Sequence, residues 1–304
     1  MKSAGKRPVP ERIWIMKRWI DTLAPALAFG AAGFALRLLQ NRTGFEPDTG
    51  LPIPGNVPAI ILPVLLAAAA VVLWLLSRRL GKAAAEQPFG ALFSMDDRGG
   101  LCAVLAGGCI MAISGAAELM GTAGGGSMVL SADGMEFAAA PAGGSGSLLF
   151  AGVMSFLAGV CLVSAVFACR KSNSAPLALL AVPVCLLARL IPVYRRLSVN
   201  PVLADYYPEI LGLMFLILGA YRLSGFAVQA GRPRVFSLYT GMTTVLALTL
   251  LADGVTPAAL LMLGGALALA GFRMMLRTAP AESPLTAAVL PQKGKPLQIP
   301  QKKV

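Results

Sequence analysis

The 304-residue chain contains no histidine, which removes imidazole-ligated zinc sites, Ser–His dyads and histidine proton relays. Charge is scarce as well: 13% of residues are charged, and 26 Lys and Arg face only 14 Asp and Glu. Neither a P-loop nor a Rossmann glycine pattern is present, so the chain carries no sequence element for cradling a nucleotide. The five cysteines (Cys102, Cys109, Cys161, Cys169, Cys185) are odd in number and form no C-x-x-C pair. All lie within apolar runs, where the thiol behaves as a small apolar group, and no disulfide framework or metal knuckle is expected. No metal or cofactor is expected, and the chain is read as a non-enzyme.

Long apolar sequence is what the chain has in abundance. Hydrophobic residues make up 57% of it and the mean hydropathy is +0.73, far from the composition of a water-soluble domain. About 20 apolar residues at ~1.5 Å rise match a hydrocarbon core ~30 Å thick. Eight such runs centre on residues 20–39, 58–77, 100–119, 148–169, 175–193, 208–228, 235–252 and 257–276. The expected fold is an all-α polytopic membrane protein of about eight transmembrane helices.

Charge placement orients the expected bundle. The net charge of +12 could suggest a nucleic-acid partner, but the bases flank apolar runs instead of covering a soluble face, so none is expected. Lys2, Lys6, Arg7, Arg12, Lys17 and Arg18 precede the first run. Arg78, Arg79, Lys82 and Arg98 lie in the second loop, Arg170 and Lys171 in the fourth, Arg232 and Arg234 in the sixth. The tail adds Arg277, Lys293, Lys295, Lys302 and Lys303. Positive-inside counting then puts both termini in the cytoplasm of a multi-pass protein of the bacterial inner membrane. Trp14, Trp19 and Trp74 at the inner interface agree, and Tyr194, Tyr206 and Tyr207 gather at the other. Arg195 and Arg196 dissent, because they fall in a loop assigned to the outside, and six or seven spans are the alternative. The first run is long and includes Asp21 and Arg37, so it is read as a retained span and not a cleaved signal peptide.

The expected organisation is a basic N-terminus (1–18), a first membrane half (19–173), a second half (174–277) and a disordered basic tail (278–304). Two halves are suggested by recurring features. Ala24-Pro25 and Ala175-Pro176 open the first and fifth runs, and Arg37-Leu38-Leu39 and Arg189-Leu190-Ile191 follow near their ends. The third run, Arg98 to Glu118, and the seventh, Arg234 to Asp253, are of nearly equal length. An even number of spans per half would relate them by an axis along the membrane normal, and chance alignment of apolar helices is the alternative. Between the third and fourth runs, the external loop 121–147 carries Met128-Val129-Leu130, Asp133-Gly134 and Met135-Glu136-Phe137. That pattern is read either as a small hairpin or as an irregular Gly/Ala loop. In the second loop, Phe89 to Met95 is read as an interfacial segment on the inner leaflet.

Motifs that start like catalytic sites stop short. Ile113-Ser114-Gly115 lacks the histidine that a rhomboid-type serine protease requires, and Asp253-Gly254 lacks the later aspartates of the CDP-alcohol transferases. The remaining candidates are intramembrane charges, which are expensive unless paired and often functional. Arg37, Glu118, Arg189 and Glu209 form an outer group; Asp21, Arg222 and Arg273 form an inner one. Asp21 is the expected partner of Arg222, bringing the sixth span against the first. Ion pairing with snorkelling stems is one account of these charges, and a solute or ion path is the other. Two functions follow: a transporter-like bundle in which Arg37 and Arg189 clamp a small anionic solute, or a non-catalytic scaffold or accessory subunit that binds partner proteins. In both, the lipid bilayer is the common partner.

Overall fold

All eight apolar runs fold as helices. The computed structural model describes residues 11–44, 53, 55–78, 89, 93, 97–123, 126–131, 134–139, 145–172, 178–198, 203–228 and 230–276. In chain order they are α1 (Glu11–Thr43), α2 (Val57–Arg78), α3 (Arg98–Ala123), α4 (Ser145–Ser172), α5 (Ala178–Leu197), α6 (Leu203–Ala227), α7 (Pro233–Leu250) and α8 (Pro257–Met275). Each contains an apolar span of 19 to 25 residues, enough to cross a bilayer. The alternative of six or seven spans is therefore set aside. Helix α1 starts at Glu11, inside the segment expected as a separate N-terminus. The tail and residues 45–52 of the first loop lie outside the described residues. The ends of that loop are tied, since the Ile53 N–H donates to the Gly44 carbonyl at 2.8 Å.

Between α3 and α4 the chain forms an antiparallel hairpin of β1 (Gly126–Ser131) and β2 (Gly134–Ala139). Met128 faces Phe137, Val129 faces Glu136 and Leu130 faces Met135, so the two apolar runs read from sequence are the paired strands. Ser131 opposite Gly134 closes the ladder, which leaves two residues to connect the strands.

Burial sorts the helices into centre and rim. In α7 and α8, 67% of the span is buried inside the protein, against 22% in α2. Helix α2 turns Leu62, Leu66, Ala69 and Leu73 inward and leaves Val57, Ile60, Val64 and Val71 exposed, as expected of a helix facing lipid. Central α7 can bury threonines because each hydroxyl is satisfied within the helix. Thr240, Thr244 and Thr249 donate to the carbonyls of Phe236, Thr240 and Val245 at 2.9 Å. One buried cluster joins α3 to α8, and a smaller one seats α1 and α2 on α7 through Ala26, Leu66, Ala69, Leu73, Met242, Val245 and Leu246. These clusters cut across the boundary between residues 173 and 174.

Helix-to-helix contact depends on glycine, because lipid tails supply no hydrophobic drive for association and close backbone approach must replace it. A Cβ on Gly107 of α3 would lie 2.5 Å from the Gly264 carbonyl oxygen and 2.6 Å from the Ala268 nitrogen of α8. On its other side, a Cβ on Gly115 would lie 2.7 Å from the Gly152 carbonyl oxygen of α4. Helix α3 is thus held backbone-to-backbone between α4 and α8.

The end of the bundle opposite the hairpin is shut by aromatic rings. Phe89 and Phe93 are buried, so at these two positions the second loop enters the bundle instead of lying on the membrane surface. Phe93 stacks on Phe89 and meets Phe226 and Phe272 edge-on, with centroids 5.4 and 5.8 Å away. Its backbone also bridges to Leu276.

Replacing Gly107 by Val forces branched carbons into main-chain atoms that cannot withdraw. It is expected to cost about 1–3 kcal/mol, read as a lower unfolding temperature of the detergent-solubilised chain. Gly146→Ala, with nothing within 4 Å, should change that temperature little. Equal effects at the two sites would contradict this packing.

Candidate functional site

The odd-numbered helices end at the face that carries the hairpin, and there the buried charges collect. Arg37 lies near the end of α1 and is 1% exposed. It meets Asp253, which closes a 3₁₀ turn (Leu251–Asp253) after α7. Gly254 follows with φ of 94°, a backbone that favours glycine, and Thr256 then caps α8 by accepting from the Ala259 N–H at 3.1 Å. This tight reversal fixes the carboxylate at the mouth of α7. Arg37 grips it through two nitrogens, Nε to Oδ1 at 2.8 Å and Nη2 to Oδ2 at 3.3 Å. One turn further along α1, the Asn41 amide donates to the same Oδ1 at 2.7 Å.

A second pair forms on the other flank. Arg189 of α5, 2% exposed, directs Nη1 to Glu118 Oε2 of α3, to Ser155 Oγ and to the Ala151 carbonyl at 3.2 Å. Ser155 in turn donates to the Ala151 carbonyl at 2.8 Å. The Gly115–Gly152 approach of α3 to α4 brings Glu118 and Ser155 together, so small residues lower in the bundle set the geometry of the charges above. A third pair is wetter: Arg196 lies 3.5 Å from Glu209, with both side chains 20–25% exposed.

The first turns of α6 tie these pairs into one layer. Glu209 lies within electrostatic range of Arg196 and Arg189 and of the Glu118 and Asp253 carboxylates. Tyr207 lies within range of Arg37 and Asp253, and its buried hydroxyl has no hydrogen-bond partner among the described residues. The structure therefore assembles the whole outer group expected from sequence: Arg37, Glu118, Arg189 and Glu209.

The pairing is crossed. Arg37 belongs to residues 19–173 and takes its carboxylate from 174–277, whereas Arg189 belongs to 174–277 and takes its carboxylate from 19–173. Sequence reasoning set Arg37 beside Arg189 and Glu118 beside Asp253 as equivalent positions, yet it did not pair them. Asp253, Asn41, Ser155 and Tyr207 were missed as members of the site. The equal lengths of the third and seventh runs, each ending on an acid, were the one signal available for Asp253.

The inner group stays apart. Arg273 is buried and its Nε donates to Ser237 Oγ at 3.1 Å. Arg222 lies over the Tyr221 ring at 5.6 Å, and its Nε has no hydrogen-bond partner among the described residues. The side chain of Asp21 lies outside the described residues, and so does the expected Asp21–Arg222 pair. Deep between α3, α4, α5, α6 and α8 is an apolar cavity of about 10 Å³, lined by Met111, Leu162, Leu186, Leu216 and Leu269 among others. It is near the least volume that holds one water, and its lining offers that water no polar partner.

Fold and charge layer together define a multi-pass helical membrane protein. No protein-family model, curated protein or solved structure matches the chain.

A buried ion pair is costly to break by removing one partner, because the other charge is left stranded. Asp253→Asn, which strands the buried guanidinium, should lower unfolding stability in detergent by about 3–5 kcal/mol; Arg37→Gln, which leaves a carboxylate 26% exposed, should cost less, and the double variant clearly less than the sum. Additive losses in this cycle would show that the pair is not energetically coupled.

Proposed function

We propose that this protein is a transporter-like bundle for a small anionic solute, held here in a conformation closed at both ends. The observation that carries the reading is the crossed pairing of Arg37 with Asp253 and of Arg189 with Glu118. Charges that only needed neutralising could be met within their own half. Crossed pairs make closure of one mouth depend on how the two halves sit together, which is what an alternating gate requires. Two guanidiniums at that mouth also give an entering carboxylate or phosphate something to exchange for a protein carboxylate. The proposed setting is the bacterial inner membrane, with both termini cytoplasmic and the hairpin outside, supported by the distribution of Lys and Arg. No catalytic step is part of this reading.

Uptake by reconstituted vesicles tests it. Arg37→Gln, which breaks one of the crossed pairs, and Arg189→Gln, which removes a charged contact, should each reduce uptake of labelled carboxylates or phosphate by about tenfold or more. Uptake unchanged across the panel would end the transporter reading. A Ser127→Cys probe on a cysteine-free background should react with an impermeant maleimide from the outside, and reaction only from the cytoplasm would reverse the orientation.

The small apolar cavity at the centre favours a second reading, a non-catalytic scaffold or accessory subunit that presents its hairpin to partner proteins. Crosslinking in native membranes should then recover a stoichiometric partner, and recovery of the chain alone would end that reading.

A further inference from the structure

Arg37 and Arg189 occupy matching places but use different edges of the guanidinium. Arg37 gives its paired edge, Nε with Nη2, to the two oxygens of Asp253. Arg189 makes all three of its hydrogen bonds among the described residues from Nη1 alone, to Glu118, Ser155 and the Ala151 carbonyl. Its Nε is buried without a hydrogen-bond partner. The edge of Arg189 that would grip two oxygens side by side is therefore vacant of protein acceptors, although the residue is only 2% exposed. A buried N–H with no acceptor is rare and costly in a finished packing arrangement. Glu118 occupies Nη1 and fixes the plane of the group, while Arg196 lies two turns along the same face of α5.

We infer that the Nε–Nη2 edge of Arg189 is the binding point for a small bidentate oxyanion, a carboxylate or a phosphate group, and that Arg37 is a structural counterpart which binds none. The inference rests on the transporter-like reading and deepens it by making the two arginines unequal. Glu209 is the internal competitor. It is partly exposed, pairs with Arg196 at 3.5 Å and lies within electrostatic range of Arg189. An incoming oxyanion must pass that carboxylate or displace it. The same chemistry is offered by a free solute and by a lipid headgroup.

Calorimetric titration of the purified full-length chain in non-ionic, phosphate-free detergent separates these cases. Formate and inorganic phosphate report a free solute, and a short-chain phosphatidic acid reports a headgroup; binding of any of the three supports the site and identifies its source. Arg189→Lys keeps a charge for Glu118 and Ser155 but has no paired edge, and should weaken binding about tenfold. Arg37→Lys should change it by less than about twofold, since that arginine contributes no ligand edge. Glu209→Gln removes the competing charge without touching the buried arginines, and should tighten binding several-fold. If Arg189→Lys does not fold, the Glu209→Gln result decides. Binding of none of the three probes, equal losses in the two lysine variants, or no tightening in Glu209→Gln would overturn the inference. Binding in this pattern without vesicle uptake leaves the site standing and removes the transporter reading. Uptake that survives Arg189→Lys removes the site and leaves that reading intact.

Discussion

A guanidinium held out of water within a membrane span has to be given a counter-charge, and this demand is met twice at one face of the bundle. Arg37 is 1% exposed and Arg189 is 2% exposed. Their carboxylates arrive from Asp253 and Glu118, each supplied by the other half of the chain. Separating the pairs would therefore strand two buried guanidiniums and the buried Glu118 carboxylate, while Asp253, 26% exposed, could still reach water. Glu209 and Arg196 form a third pair beside them, and Tyr207 lies within electrostatic range of Arg37 and Asp253.

Beneath these pairs the chemistry changes completely. The body of the bundle is held by glycine-mediated backbone contact on both sides of α3 and by the packing of α7 against its neighbours. The threonine hydroxyls of α7 bond back to their own helix, while buried Ser114 of α3 donates across to the Pro257 carbonyl of α8. At the far end, Phe89 and Phe93 lie among Phe226, Phe236 and Phe272. One end is thus shut by paired charge and the other by aromatic rings.

Much of this was legible in the sequence, for physical reasons. Span length and hydropathy follow from bilayer thickness, so all eight helices could be placed. The hairpin followed from two short β-compatible runs around Asp133-Gly134. The outer charges could be grouped because depth along a helix is a matter of counting residues. Partner choice was not legible. Asp253 is read only as the acid that ends the seventh run until the 3₁₀ turn and Gly254 bring it over α1, and Ser155 is one of many helical serines until the α3–α4 approach puts it beside Arg189. Phe89 and Phe93 were read as surface aromatics because a short loop segment shows no period from which burial could be inferred. The seating of α1 and α2 against α7 also depends on side-chain shape across three helices, which linear spacing does not encode.

The crossed pairing is the central claim, and thiol crosslinking tests it most directly. On a cysteine-free background, Arg37→Cys with Asp253→Cys, and Arg189→Cys with Glu118→Cys, should each be joined by a short bifunctional thiol reagent. Arg37→Cys with Glu118→Cys, and Arg189→Cys with Asp253→Cys, should not. Efficient linkage within the same half, with none across the halves, would contradict the arrangement on which the proposed gate and the proposed oxyanion site both rest.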